Sequence, residues 1–308
     1  MIKTPVGYPG SKNKAMEQIL PLIPDDVEDW RECFFGGGSV TLTYIQSSKC
    51  RAKTFTVCEI SPEVWAFWQG VKLHAKEAGE IAKGWFLEKA PTQLILKNTN
   101  EDDVNYKRIE EEAIKEGREL WKWTQEVDCS KLSLAERAAR FFIVNKISFS
   151  NMSDSGSISL DNFKKFNIDN VQRMLDIQPI LQKIDIRNVS FEELFENAHK
   201  DKTFMFLDPP YYNQGINSPM YGKDGDTHTG FPHEKLASML KSARFRWLLT
   251  YDDSIKIRRL YKGCNIKPFL LTYTMAGKYS TDSLAGEELF ISNYNIVEEP
   301  CDDMFDIL

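Results

Sequence analysis

Residues 204–211 leave few folds open: Phe204-Met205-Phe206-Leu207 runs directly into Asp208-Pro209-Pro210-Tyr211. Apolar residues without alternation read as a strand buried on both faces, as in a parallel sheet covered by helices. Two successive prolines fix φ twice and remove two backbone donors, so the strand must stop there. Ligands of open α/β sheets bind at this carboxyl edge. A carboxylate, a proline carbonyl and an aromatic face thus meet at a ligand-binding position.

That combination suits an exocyclic amino group on a flat ring. Such a nitrogen is a poor nucleophile because its lone pair is delocalised. Asp208 and the Pro209 carbonyl can accept its two N–H bonds and stabilise the charge that develops on reaction. Tyr211 offers a stacking face for a base rotated out of its helix. A second constellation, Glu32-Cys33-Phe34-Phe35-Gly36-Gly37-Gly38-Ser39, follows a short strand and precedes a helix. Its glycines let backbone approach a ligand closely. Glu59, ending the next strand (Phe55 to Cys58), is placed to accept from ribose hydroxyls. The G-x-G-x-x-G phosphate turn is missing, which favours a nucleoside-type ligand such as S-adenosylmethionine (SAM).

Strand, glycine turn, helix, strand and acid within about thirty residues is half of a doubly wound fold. Strands are expected again at Ile184–Val189, Phe204–Leu207, Trp247–Tyr251, Phe269–Tyr273 and Leu289–Tyr294. A helix is expected over Met16–Ile23. Between them, long polar helical patterns (Glu77–Leu87, Tyr106–Gln125, Leu134–Val144) give way to hairpin-like alternation from Ile147 to Phe163, with the tryptophans in between read as core. The expectation is an α/β Rossmann-like sheet of residues 1–63 and 164–308, carrying a mostly helical insert, 64–163, that ends in a β-hairpin.

Composition adds exclusions. No apolar run approaches the ~20 residues of a membrane span, so a cytoplasmic protein without a membrane partner is expected. The 6 cysteines are far apart and the 4 histidines scattered. Paired spacing is absent, so no metal is expected. The net charge of −6 is uneven, with acids concentrated at 101–119 and 298–308 and bases at 241–262. It neither requires nor excludes a polyanion partner.

Taken together, these motifs resemble the Dam-like (α-group) SAM-dependent DNA adenine methyltransferases. Tyr8-Pro9-Gly10-Ser11-Lys12 looks like the family's N-terminal motif, Phe34–Ser39 its cofactor loop, and Asp208–Tyr211 its catalytic turn. Arg140–Asn145 with Ser148-Phe149 is similar to the lead into its DNA-contacting hairpin. Leu249–Asp252 and Glu288–Tyr294 resemble its late strands. The resemblance implies methylation of the 6-amino group of a flipped adenine in double-stranded DNA. It implies catalytic roles for Asp208, Pro209, Pro210, Tyr211 and Lys12. It also implies SAM contacts for Tyr8, Pro9, Gly10, Lys12, Phe34, Gly36, Gly38, Ser39, Glu59, Ser190 and Asp208. A monomer with a cognate restriction endonuclease as partner belongs to the same expectation.

Two departures stand out. Ser190 occupies a position where the family often has Asp. Residues 148–163 contain no arginine, the residue type that suits guanine in the major groove, so DNA contact would fall to Asn151, Ser153, Ser155, Ser157, Lys164 and Lys165. Alternative readings are methylation of RNA or single-stranded DNA, and a catalytically silent SAM- or DNA-binding protein.

Overall fold

The computed structural model describes residues 1–149, 157–198, 201–212, 230–272 and 285–296. Its strands are β1 (Asp29–Glu32), β2 (Thr54–Cys58), β3 (Asp185–Arg187), β4 (Thr203–Leu207), β5 (Arg246–Asp252), β6 (Asn265–Thr272) and β7 (Ala285–Ser292). They form one sheet in the order β3-β2-β1-β4-β5-β7-β6. The first five are parallel, and β7 enters antiparallel to both β5 and β6. The order reverses between β1 and β4, which creates the crevice where open α/β sheets bind ligands. This is the α/β, mostly parallel architecture expected of a Rossmann-like methyltransferase.

Strand alternation explains the two core layers. On β4, Phe204 and Phe206 face one layer while Met205 and Leu207 face the other. On β7, Phe290 faces the first layer and Leu289 and Ile291 the second. Side chains that alternate across the sheet and are apolar on both faces require cover on both faces. The first layer includes α1 (Met16–Ile19), α2 (Ser39–Ile45), α3 (Pro62–Lys89), α6 (Leu134–Ile147) and α8 (Gln172–Leu181). The second is built by a 3-10 turn at Phe191–Phe195, α9 (His233–Ser242) and α10 (Ile255–Leu260).

α3 is longer than the polar pattern indicates. It starts at a Ser61 cap, bends at His74 (φ −137°, ψ 34°) and packs its first turns on the sheet through Trp65 Nε1 to the Ile186 carbonyl (3.2 Å). The helix therefore crosses residue 64, where the insert was expected to begin. Beyond it lie α4 (Pro91–Lys97), α5 (Tyr106–Glu126), the capped start of α6 and α7 (Leu160–Lys165). Trp85 and Trp123 meet edge to face in this region, with ring centroids 4.9 Å apart.

Two local expectations change. Met16–Ile23 is a four-residue α segment that passes into a 3-10 turn at Leu20–Leu22, because Pro21 supplies no N–H to extend α1; a further 3-10 turn, Lys12–Ala15, precedes it. The hairpin alternation ends earlier than Phe163: Ser148 pairs antiparallel with Ile158, and Leu160–Lys165 is helical behind a Ser159 cap. Among the described residues, no helix is long and apolar enough to cross a membrane.

Candidate active site

The site lies where β1 and β4 end side by side. Glu32, the last residue of β1, is fully buried against the start of α2. Its carboxylate accepts from the Thr41 amide (3.0 Å) and the Thr41 hydroxyl, and that hydroxyl accepts from Trp30 Nε1 (2.6 Å). Burial pushes the Glu32 carboxyl up to about 8.

Raised above its unfolded value, this group favours the fold below pH ~4.5, and the contribution is lost as pH rises through 8. Urea unfolding at pH 5.5 and 8.5 is expected to show wild-type stability falling with pH. Glu32→Gln should remove a share on the order of 3 kcal/mol. An undiminished fall in the variant would reject this origin.

The loop after Glu32 passes over the sheet edge. Gly36 (φ 45°) and Gly38 (φ 69°) take left-handed conformations that other residues adopt at a cost. A Cβ on Gly36 would lie 2.8 Å from the Tyr8 ring, so the N-terminal motif rests directly on this loop. Trp68 Nε1 donates to the Gly36 carbonyl (2.8 Å), and Glu59 Oε2 accepts from the Gly36 amide (2.8 Å). The other Glu59 oxygen accepts from the Ser61 amide (2.9 Å). Phe34 is half-buried with its ring 5.8 Å from that of Phe191. Ser190 precedes that ring, its hydroxyl bonded to Glu192.

Lys12 joins the two motifs. Its amide donates to Ser39 Oγ (3.2 Å), and its ammonium reaches the Gly10 carbonyl (3.0 Å) and Asp208 Oδ2 (2.8 Å). The ammonium also lies 5.0 Å from the centre of the Tyr211 ring. The lysine is 2% exposed and the Asp208 side chain 20% exposed, so the carboxylate faces outward from a buried cation. Asp208 Oδ1 accepts from Thr250 Oγ1 (2.6 Å). Pro209 is buried and Pro210 half-buried. Pro9 is half-buried and Gly10 exposed (φ 73°) in the same N-terminal turn.

Three further residues lie in segments that the resemblance covers but to which it assigns no site role. Glu288 on β7 is buried, accepts from the Tyr211 hydroxyl (2.7 Å) and lies 3.9 Å from the Lys12 ammonium. Burial, opposed by Lys12, pushes its carboxyl up to about 7, and burial drives the Tyr211 phenol upward too. Thr250 sits mid-strand in β5. Asn145, near the end of α6, accepts from the Gly7 amide (3.0 Å) and donates to the Gly7 carbonyl (2.8 Å). It thereby ties the helix before the hairpin to the N-terminal motif. For Thr250 and Asn145 the signal is a polar residue in an apolar run, since a buried polar group must have partners; Glu288, the second of two glutamates ahead of the apolar stretch Leu289–Ile291, carries no such signal.

The expected DNA-contacting residues are a separate group. Asn151, Ser153 and Ser155 lie outside the described residues. Ser157 is exposed at the hairpin foot, where its carbonyl accepts from the Phe149 amide (2.8 Å). Lys164 is paired with Glu110 (2.8 Å), whereas Lys165 is exposed. Neither lysine joins the Lys12–Asp208 cluster.

Comparison with known proteins identifies the family. A family model described as D12 class N6 adenine-specific DNA methyltransferase matches residues 8–275, from Tyr8 to beyond β6. The Type II methyltransferase M.CviBI of Paramecium bursaria Chlorella virus NC1A is 21% identical over 271 residues, covering 85% of this chain and 87% of the relative. The Type II methyltransferase M1.LlaDCHI of Lactococcus lactis subsp. cremoris is 23% identical over 300 residues, covering 93% and 94%.

Proposed function

The chain belongs to the D12 class N6 adenine-specific DNA methyltransferase family, and from that premise we infer that it methylates the 6-amino group of an adenine rotated out of double-stranded DNA, with SAM as donor. The observation that carries this reading is the buried Lys12–Asp208 pair beside Pro209 at the sheet's switch point.

The residues present suit SAM. In this reading Tyr8, Pro9, Gly10, Lys12 and Asp208 hold the methionine end of the donor, and Phe34, Gly36, Gly38, Ser39, Glu59 and Ser190 hold its nucleoside, with Glu59 accepting from the ribose hydroxyls. SAM supplies an electrophilic methyl group on a sulfonium. Asp208 and the Pro209 carbonyl accept the two N–H bonds of the adenine amine and raise the availability of its lone pair. Pro210 stiffens the turn, Tyr211 presents its ring, and Lys12 pins the Asp208 carboxylate.

In this reading, residues 64–163 read the DNA and the remainder binds the cofactor. Asn151, Ser153, Ser155, Ser157, Lys164 and Lys165 supply the contacts, with Lys164 first released from Glu110. We further propose a cytoplasmic monomer acting beside a cognate endonuclease; the two relatives' names as Type II methyltransferases support the latter.

Transfer of labelled methyl from SAM to unmethylated duplex DNA, single-stranded DNA and RNA in parallel tests the substrate. Label on duplex DNA above the other polymers is expected. Label on RNA or single strands alone would replace the duplex assignment, and SAM binding without transfer to any polymer would favour a silent binding protein.

A further inference from the structure

We propose that Glu288 is the acceptor of the proton the adenine amine must lose, reached from Asp208 through the hydroxyl of Tyr211; this rests on the methyl-transfer reading above. When the amine nitrogen forms its bond to the methyl carbon, it carries two hydrogens and a positive charge. One N–H bond must then break, with its electron pair staying on nitrogen.

Asp208 is the carboxylate placed against that nitrogen, and its Oδ1 takes the proton. Tyr211 Oη lies 3.4 Å from that oxygen and 2.7 Å from Glu288 Oε2, to which it donates. Protonated Asp208 donates to Oη as the phenolic proton passes to Glu288. Asp208 and Tyr211 return to their starting states, and the net change is one proton moved from nitrogen to Glu288. No oxidant or further reactant is needed.

The charges around Glu288 favour this direction. Facing it are Lys12 from the N-terminal turn, Asp208 and Tyr211 after β4, and Asp252 at the end of β5. One lysine lies between the Asp208 and Glu288 carboxylates, closer to Asp208 (2.8 Å against 3.9 Å). Glu288 is therefore the carboxylate less compensated by the cation, and at 1% exposed it is sheltered from water. Its carboxyl, at about 7, holds a proton more readily than an ordinary glutamate. An acceptor of this kind is matched to work near neutrality. Glu288 acts through Tyr211 and Asp208 without touching the reacting nitrogen.

The test is the single-turnover methyl-transfer rate on duplex DNA between pH 5.5 and 9, with SAM and DNA both saturating. Because Glu288 must be ionised to accept, the wild-type rate should fall as pH drops through about 7. Glu288→Gln should lose that acidic limb and run at least tenfold slower at pH 8, a modest share of the ~10²–10⁴ that positioned acid–base groups contribute. Tyr211→Phe keeps the ring and removes the middle link, so it should show the same flat profile even if the Glu288 variant folds poorly. Wild-type rate and limb retained in both variants would overturn the inference and assign the proton to solvent. A slower Glu288→Gln with the limb unchanged would overturn it as well, in favour of a holding role. If the wild type transfers no methyl to DNA adenine, the methyl-transfer reading itself fails and the inference falls with it. An active wild type with unaltered variants sinks the inference alone.

Discussion

Replacing Asp208 by asparagine is expected to lower methyl transfer to DNA adenine by about 10²–10³-fold, the usual cost of removing one group that stabilises transition-state charge. Asparagine keeps the shape of the side chain and an oxygen that Thr250 can still reach. It removes the negative charge facing the nitrogen, where positive charge develops. It also removes the anionic partner 2.8 Å from the Lys12 ammonium. The comparison to make is single-turnover rate against thermal midpoint for Asp208→Asn and Asp208→Ala. Asparagine should separate the two quantities, with transfer nearly lost and the midpoint lowered less than by alanine, because its amide oxygen can still accept from the Lys12 ammonium. Alanine should lower both, because the buried lysine then keeps only the Gly10 carbonyl and, as its anionic partner, the more distant Glu288. Near-normal transfer in both variants would move the catalytic role away from this turn.

The second large effect belongs to Lys12. Methionine there fills similar space without the ammonium, leaving Asp208 and Glu288 facing one another around an uncharged side chain. Removing one partner of a buried ion pair costs about 3–5 kcal/mol. The sign of the pH dependence follows from the same picture. Glu288 already sits at about 7 through burial, with Lys12 opposing the rise, so loss of the cation pushes its carboxyl further above the unfolded value. A raised carboxyl contributes stability at acid pH that is lost as pH rises through its folded-state value. The deficit of Lys12→Met relative to wild type, read from urea unfolding, should be small at pH 5 and large at pH 8. Methyl transfer should be lost at both. A deficit independent of pH would mean that the lysine stem, through packing, accounts for its stabilising role.

Much of this was legible in the chain because it was written locally. Phe204–Leu207 ends at prolines that no other residue type imitates, and the glycine turn follows its strand at short range. The β5 and β7 runs show their apolar character directly. What escaped is what forms only when strands distant in sequence become neighbours. Glu288 is eighty residues from Asp208 along the chain, yet it closes the cluster because β7 inserts antiparallel beside β5. Asn145 reads as one polar residue in an apolar helix until Gly7 is brought against it. The start of α3 escapes the polar pattern for a related reason. Its polarity reports the solvent-facing length, whereas its first turns are set by contact with the sheet through Trp65 and with the glycine loop through Trp68. The hairpin's end was misplaced because Ser159 caps a helix with the same polar alternation that a strand would show.

The most direct measurement is the identity of the modified nucleoside in duplex DNA incubated with SAM and the wild-type protein or Asp208→Asn, digested and resolved by mass. The site described here predicts N6-methyladenine with the wild type and its near absence with the variant. Methyl groups on cytosine, or on adenine to equal extent with both proteins, would contradict the assignment of Asp208 and Pro209 as the acceptors that hold the adenine amine.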